Sequence, residues 1–222
     1  MIKTPFKTTA SFAIALAICT TQDLRAAVII DGDFESPIVP GTPGSRILYP
    51  TGGTFGGGWR VDSAVVGVAL KSDGDPDFLP TPDGNQFVYL GQNISVSTLA
   101  QDISGSLFSG TTYTVSFLQS GFASLQFPGR VRLQITPTSG GGAIYDNTFI
   151  LPIQSPWVAQ AAVFPVATTG NYTVKFTSFN SAGGIIDRVA IVPEPTATLL
   201  LTLATVYLGM RRTARHRCNE EV

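Results

Sequence analysis

The sequence predicts an all-β protein, a β-sandwich or jelly roll, with an N-terminal signal-peptide helix and a C-terminal transmembrane helix. Three observations predict the sandwich. Short apolar runs alternate with polar residues, turn-forming residues are abundant with 23 Gly and 15 Pro among 222 residues, and no stretch of residues 27–192 has a 3.6-residue apolar period. Short strands separated by Gly- and Pro-rich turns are typical of sandwiches.

Alternation of apolar and polar residues is clearest in three predicted strands. In residues 112–118, Tyr113, Val115 and Phe117 share one face, and residues 171–179 follow the same pattern. In residues 131–136, Arg132 and Gln134 point outward. This pattern marks antiparallel sheets with one face in the core and one in water. The remaining predicted strands are residues 28–30, 61–70, 87–90 and 185–192.

Residues 1–26 are predicted to be a secretory signal peptide. Lys3 and Lys7 form a positive start, residues 10–19 an apolar core, and Ala26 a small residue at the cleavage point. As a helix the apolar core reaches about 15 Å, whereas a bilayer interior is about 30 Å thick. The segment is therefore expected to direct export and then to be removed.

Residues 27–192 form one predicted domain that contains neither cysteine nor histidine. The two cysteines of the chain, Cys19 and Cys218, and its single histidine, His216, lie in the end segments. A Ser-His-Asp or Cys-His nucleophile and a zinc site built on His or Cys are therefore excluded in the domain. We predict that the protein is not an enzyme, and the remaining catalytic alternative is a carboxylate pair that cleaves glycans.

The charge of the domain argues against nucleic acid as a partner. Residues 27–192 contain eleven Asp and Glu against seven Lys and Arg, and the basic residues do not cluster in the sequence. Nucleic-acid binding requires clustered basic side chains against the phosphates.

The C-terminal segment carries signals of membrane sorting. Pro193-Glu194-Pro195 follows the last predicted strand, residues 196–210 contain no charge, and a basic cluster comes next. As a helix the apolar run reaches about 22 Å, a short span that flanking arginines extend to the headgroups. Because the basic end stays cytoplasmic, the domain is expected on the other side of the membrane.

This order of a Pro-Glu-Pro motif, an apolar helix and a basic end that begins with Arg211 and Arg212 resembles the PEP-CTERM sorting signal of Gram-negative bacteria. The resemblance covers residues 193–217 and leaves 218–222 as a short tail. It implies that an exosortase, a membrane protease, reads Glu194 and removes the tail near the motif. It also implies an exported envelope or matrix protein associated with exopolysaccharide and biofilm, either membrane-anchored or released after processing.

Several motifs of the domain, in their order, resemble the galactose-binding-like jelly rolls of carbohydrate-binding modules. These motifs are residues 31–37, 58–59, 82–90, 99–102, 110–117 and 186–189. The resemblance implies a structural calcium ion that joins the first strand to the last, with Glu35 and Asp187 as ligands and Asp33 as a further candidate. Calcium takes six to eight oxygen ligands, which carboxylates and backbone carbonyls supply. The alternative is that Glu35 and Asp187 bond only to nearby backbone.

Two tryptophans, Trp59 and Trp157, are candidates for stacking on sugar rings. Exposed aromatic side chains bind sugars in this way in carbohydrate-binding modules, and the resemblance extends this role to both residues. The alternative for each is packing in the core, because a sandwich buries most of its large aromatic side chains.

The sequence thus predicts a non-catalytic envelope or matrix protein that binds extracellular polysaccharide. One alternative is a structural or adhesive surface protein whose β-domain contacts other proteins. A lesser alternative is a glycan-cleaving enzyme.

Overall fold

The computed structural model describes residues 27–64, 67–74, 77–91, 96–121, 128–179 and 183–194. These residues form an all-β sandwich of two antiparallel sheets and contain no helix, which confirms the predicted fold class. Within them, no segment is a helix with the length and apolar character needed to cross a membrane. The two predicted terminal helices, in residues 1–26 and 196–210, lie outside the described residues.

The described residues contain twelve strands, which are β1 (Arg46–Tyr49), β2 (Thr54–Phe55), β3 (Trp59–Ala64), β4 (Val68–Ser72), β5 (Gln86–Leu90), β6 (Ser97–Asp102), β7 (Thr112–Ser120), β8 (Gly129–Pro137), β9 (Tyr145–Leu151), β10 (Val158–Pro165), β11 (Tyr172–Ser178) and β12 (Gly184–Pro193).

The strands are divided equally between two sheets. The order is β1-β4-β5-β12-β7-β10 in the first sheet and β2-β3-β6-β11-β8-β9 in the second. Every ladder between these strands is antiparallel. From β6 to β12 the chain passes repeatedly from one sheet to the other, which is the arrangement of a jelly roll.

The two sheets enclose one main hydrophobic core. Alternate residues of each strand point inward, so that β7 buries Val115 and Phe117. The Trp59 ring lies at the centre of an aromatic group, with its centroid 5.1 Å from that of Phe34 and 6.3 Å from that of Phe176. Large apolar areas buried in this way hold the sheets together.

The predicted strand 61–70 is wrong, because these residues belong to two strands. β3 ends at Ala64 in the second sheet, and β4 begins at Val68 in the first. Gly67 lies between them with a φ of +135°, and a Cβ on it would lie 3.0 Å from the Tyr49 carbonyl oxygen. An unbroken apolar run does not show where the chain changes sheets.

Five strands, β1, β2, β6, β9 and β10, are not predicted by the sequence pattern, and β2 has only two residues. β1, β9 and β10 are edge strands, and β1 and β9 are mostly exposed or half-buried, so apolar alternation is weak in them. β6 lies inside the second sheet and buries Leu99, Ala100 and Gln101 in succession, so apolar and polar residues do not alternate in its sequence either.

The first segment of the domain lies against its last strand. The predicted strand 28–30 forms a single bridge, between Val28 and Ser104. A little further on, the Gly32 carbonyl oxygen accepts a hydrogen bond from the Val189 N–H at 2.7 Å. The acidic residues that follow Gly32 are thereby placed beside β12.

Candidate functional site

The outer face of the second sheet carries a continuous set of polar side chains, which we call the polar face. Core-facing and outward residues alternate along β3, β6, β8, β9 and β11, so their outward residues share one surface. Neighbouring strands are about 4.8 Å apart, so five strands span about 19 Å. The polar face consists of Arg60, Asp62, Thr98, Asp102, Arg132, Gln134, Asp146, Thr173, Lys175 and Thr177.

One row of residues runs straight across the five strands of this face. The register places Arg60 opposite Ala100 and Ala100 opposite Lys175. It then places Lys175 opposite Gln134 and Gln134 opposite Asp146. Because the short Ala100 side chain lies between the long side chains of Arg60 and Lys175, the surface of the row is depressed at β6.

Ion pairs order the β3 side of the polar face. Arg60 lies 2.9 Å from Asp62 and 3.0 Å from Asp102, and Lys175 Nζ lies 3.1 Å from Asp62 Oδ2. Thr173 Oγ1 donates a hydrogen bond to Asp102 Oδ1 at 2.6 Å. Burial acts against ionisation, but this hydrogen bond and Arg60 hold the pKa of Asp102 below its ordinary value. Asp102 is therefore an ionised acceptor at neutral pH.

A second group of side chains orders the β8 side of the polar face. Arg132 donates two hydrogen bonds to Asp146, the one from Nε at 2.7 Å, and Gln134 Nε2 donates to Asp146 Oδ2 at 3.0 Å. The hydrogen bond from Arg132 holds the pKa of Asp146 below its ordinary value. Between the two groups, the hydroxyl oxygens of Thr98 and Thr177 lie 3.0 Å apart.

The polar face is suited to hydroxyl-rich ligands that bind through hydrogen bonds. Its arginine, lysine and glutamine side chains donate, while its carboxylates and threonine hydroxyls accept. Mutual contacts hold these groups in place, so less side-chain freedom is lost when a ligand binds. Among the outward residues described on these five strands none is aromatic, so the face offers no ring for stacking.

Trp59 belongs to the core. Its side chain is 0% exposed, its ring packs on Phe34 and Phe176, and its Nε1 donates to the Asp31 carbonyl oxygen at 2.9 Å. A ring without exposed surface has no face to offer a sugar. The stacking prediction for Trp59 is therefore wrong, and the core alternative describes this residue.

Trp157 is half-buried on the outer face of the first sheet. Its ring packs edge-on against Phe87 with centroids 5.9 Å apart, and its Nε1 donates to the Pro80 carbonyl oxygen at 2.8 Å. Phe78 packs in the same small apolar cluster. Stacking of Trp157 on a sugar stays a prediction.

Glu35 and Asp187, the predicted calcium ligands, lie close enough for their charges to interact. Glu35 Oε1 accepts hydrogen bonds from the backbone N–H groups of Asn85 at 2.7 Å and Gln86 at 2.9 Å. Gly84 precedes them with a φ of +71°, and a Cβ on it would lie 2.1 Å from Glu35 Oε1. Only glycine lets this turn approach the carboxylate so closely.

Asp187 is a fully buried carboxylate, with 0% exposure. It accepts hydrogen bonds from the Arg188 N–H at 2.7 Å and from the Thr81 hydroxyl. Burial raises the pKa of Asp187 to about 7; the two hydrogen bonds oppose this rise, and the charges of Asp83 and Glu35 add to it. Among the described residues no basic side chain forms an ion pair with Asp187. Sequence reasoning did not select Thr81 and Asp83 as neighbours of Asp187, because their proximity to it depends on the fold.

Asp33, the third predicted ligand, is exposed and lies beside Asp31. Burial, and then the charge of Asp33, raise the pKa of Asp31 to about 6. Asp31 Oδ1 accepts the Ser36 N–H at 3.1 Å, whereas its buried Oδ2 has no hydrogen-bond partner among the described residues. Sequence reasoning did not single out Asp31, because its burial depends on the fold around it.

The donor set near Asp187 fits a calcium ion in part. In the part of the chain that the structure describes, no three His, Cys, Asp or Glu side chains come together as a metal-binding group. Glu35 and Asp187 supply two carboxylates, so hydroxyl or carbonyl oxygens would have to complete the coordination. The charge of Asp187 supports a cation there, since a buried carboxylate without a counterion destabilises the fold.

The predicted sorting motif begins inside the folded sheet. Pro193 is the last residue of β12 and lies opposite Tyr113 of β7, and the Glu194 N–H donates to the Thr112 carbonyl oxygen at 2.8 Å. The ladder thus runs beyond residue 192, where the domain was predicted to end. The predicted sorting residues that lie outside the described part of the chain are Pro195, Arg211 and Arg212.

Comparison with known proteins supports a fold and not a family. No protein-family model matches the chain, and no curated protein matches it. An arabinose-bound GH51 α-L-arabinofuranosidase matches 77% of the chain with a TM-score of 0.50 and 11% identity, and the chain spans 27% of that enzyme. A carbohydrate-binding module of family 61 in complex with β-1,4-galactotriose matches 61% of the chain, over 88% of its own length, with a TM-score of 0.46 and 18% identity.

A third similar structure is the CBM22-1 xylan-binding domain from Paenibacillus barcinonensis. It matches 71% of the chain over its whole length, with a TM-score of 0.42 and 12% identity. At these identities the likeness concerns the fold alone. The described part of the chain is a β-sandwich domain of the jelly-roll class.

Proposed function

We propose that the domain binds polysaccharide without cleaving it, through the polar face of the second sheet. The observation that carries this proposal is the row from Arg60 to Asp146, which crosses five strands and presents fixed donors or acceptors on β3, β11, β8 and β9. A face of this width accommodates several sugar rings in line. The motifs that resemble galactose-binding-like modules support the same function.

The two carboxylates with raised pKa values support a structural role and not catalysis. Asp187 is fully buried, and the Asp31 oxygen that lacks a partner is buried too. A general acid must reach the glycosidic oxygen within hydrogen-bond distance, which a sealed carboxyl group does not do. Release of reducing sugar from a bound polysaccharide by the purified protein would favour the enzyme alternative.

Removing two donors from the centre of the polar face is expected to weaken glycan binding. The double substitution Gln134→Ala and Lys175→Ala should raise the Kd for a retained polysaccharide by about 30-fold, because each of the two lost hydrogen bonds contributes about 1 kcal/mol. Affinity electrophoresis on a panel of xylan, galactan, β-glucan and bacterial exopolysaccharides measures this change.

Arg46→Ala is the matched control, since Arg46 lies on β1 of the first sheet. It should leave the Kd unchanged, and all variants should keep the melting temperature of the wild type within a few degrees. Equal retention of the double variant and the wild type would reject the polar face as the binding site. Retention of envelope proteins, with none of any glycan, would favour the adhesive alternative.

We also propose that calcium stabilises the junction of the first segment with β12, held by Glu35 and Asp187. When bound, the ion would neutralise the buried charge of Asp187 and link two distant parts of the chain. A ligand present at 100 times its Kd stabilises a fold by about 2.7 kcal/mol. Addition of a chelator should therefore lower the melting temperature by about 5–10 °C. Asp187→Asn should abolish the response, and an identical wild-type melting curve with chelator and with calcium would reject the site.

The C-terminal segment supports a proposal on location. The protein is exported, is held at the membrane by residues 196–210, and is a substrate of an exosortase-type protease that reads the Pro-Glu-Pro motif. The domain then serves in the envelope or, after removal of the tail, in an exopolysaccharide or biofilm matrix. The motif, the uncharged run and the basic end support this proposal through their order.

A further inference from the structure

Glu194 is bound to the folded domain by both its backbone and its side chain. Its N–H donates to the Thr112 carbonyl oxygen at 2.8 Å, and one of its carboxylate oxygens accepts a hydrogen bond from the Thr114 hydroxyl. Pro193 lies opposite Tyr113 in the ladder between β12 and β7. The first two residues of the Pro-Glu-Pro motif are therefore held against β7.

A protease that reads a short motif binds it as an extended segment, with its own groups on the backbone and side chains of the motif. While β7 holds Glu194, its N–H and one of its carboxylate oxygens are engaged, and Pro193 is paired in the ladder. The end of β12 must therefore separate from β7 before the motif is read.

The separation can stop after three residues. Ile191 is buried in the core between the sheets, whereas Val192 is 50% exposed. Release of residues 192–194 breaks the contacts to Thr112 and Thr114 but leaves Ile191 in place. Local opening of this kind, at the end of an element and without loss of core contacts, has a low free energy compared with global unfolding.

We propose that the contact of Glu194 with Thr112 and Thr114 restrains the sorting motif, so that opening of residues 192–194 limits the rate of C-terminal processing. This inference rests on the proposed sorting function. It makes the folded domain a regulator of its own release from the membrane, with the Thr114 hydroxyl as the side chain that holds the motif closed.

The test follows processing of the full chain in its native host, with and without a functional exosortase gene. Pulse-labelling and mass spectrometry of the C-terminus give the rate at which the tail is removed. Thr114→Val deletes the hydroxyl and keeps the β-branched shape, and should speed processing about three- to tenfold, the effect of one lost hydrogen bond. Thr148→Val makes the same change on β9 of the second sheet and should leave the rate unchanged.

A second measurement does not depend on the protease. Hydrogen exchange of the purified full chain in detergent should show a protected Glu194 amide, with exchange about three- to tenfold faster in Thr114→Val than in the wild type. Equal exchange in the two proteins, or equal processing rates while the tail is being removed, would overturn the restraint and leave the sorting function standing. An intact tail on wild-type protein in the host with an active exosortase would overturn the sorting function, and the restraint on processing with it.

Discussion

Trp59→Ala is expected to lower the free energy of unfolding by about 3–5 kcal/mol, the usual cost of removing a large buried aromatic side chain. The Trp59 ring is fully buried and contacts Phe34 and Phe176. It also holds the first segment of the domain through its bond to the Asp31 carbonyl oxygen. The substitution therefore creates a cavity and removes one of the two donors to the Asp31 carbonyl oxygen, the other being the Phe34 N–H at 3.2 Å. Urea denaturation of the purified domain measures the change.

Trp157→Ala is the matched control for Trp59→Ala. Because Trp157 is half-buried outside the main core, its removal should cost less than about 2 kcal/mol. The two variants also separate the roles that the sequence left open. A Trp59→Ala protein that keeps the stability of the wild type but loses glycan binding would contradict the assignment of Trp59 to the core.

Without divalent cations, the domain is expected to lose on the order of 3 kcal/mol of stability between pH 4 and pH 7 because of Asp187 alone. The pKa of this carboxyl rises from an ordinary value of 3.8 to about 7 in the folded protein, chiefly through burial. Between these two values the folded state binds more protons than the unfolded state, so stability falls as pH rises. Above about pH 7 the contribution is flat. Asp31, with a pKa of about 6, acts in the same direction over a narrower range.

Asp187→Asn tests this dependence on pH. The neutral amide keeps the shape of the carboxyl group, so the variant should be more stable than the wild type at pH 8 in the presence of chelator. Its free energy of unfolding should also depend much less on pH. Chemical denaturation at pH 5, 6, 7 and 8 gives the comparison. Asp102 and Asp146 do not disturb it, because their pKa values lie below the ordinary value. If the free energy of unfolding of the wild type does not change between pH 5 and pH 8, Asp187 is not a buried carboxyl group with a raised pKa.

The sequence predicts the fold class because strand alternation and turn composition are local properties. Outward Arg132 and Gln134 on β8 are examples, and the structure places both on the polar face. The break at Gly67 was not predicted, since the apolar run on either side of it looks the same whether one sheet or two receives it. The local sequence pattern therefore predicts where strands lie better than it predicts which sheet each strand joins.

The residues of the candidate sites were likewise predicted only in part. Sequence motifs select Glu35 and Asp187, which the structure brings together from 152 positions apart in the chain. They do not select the polar face, because its members become neighbours only through the pairing of β3, β6, β11, β8 and β9. The burial of Trp59 depends likewise on Phe34 and Phe176, which are distant from it in the sequence.

The position of β12 in the first sheet has a consequence for the order in which the fold can close. β12 is the last of the described strands to be synthesised, yet it lies between β5 and β7 and alone connects β1-β4-β5 to β7-β10 in this sheet. Until β12 is in place, the sheet consists of two separate halves and the core lacks Ile186 and Ile191. The first sheet can therefore be completed only after nearly the whole domain has been synthesised.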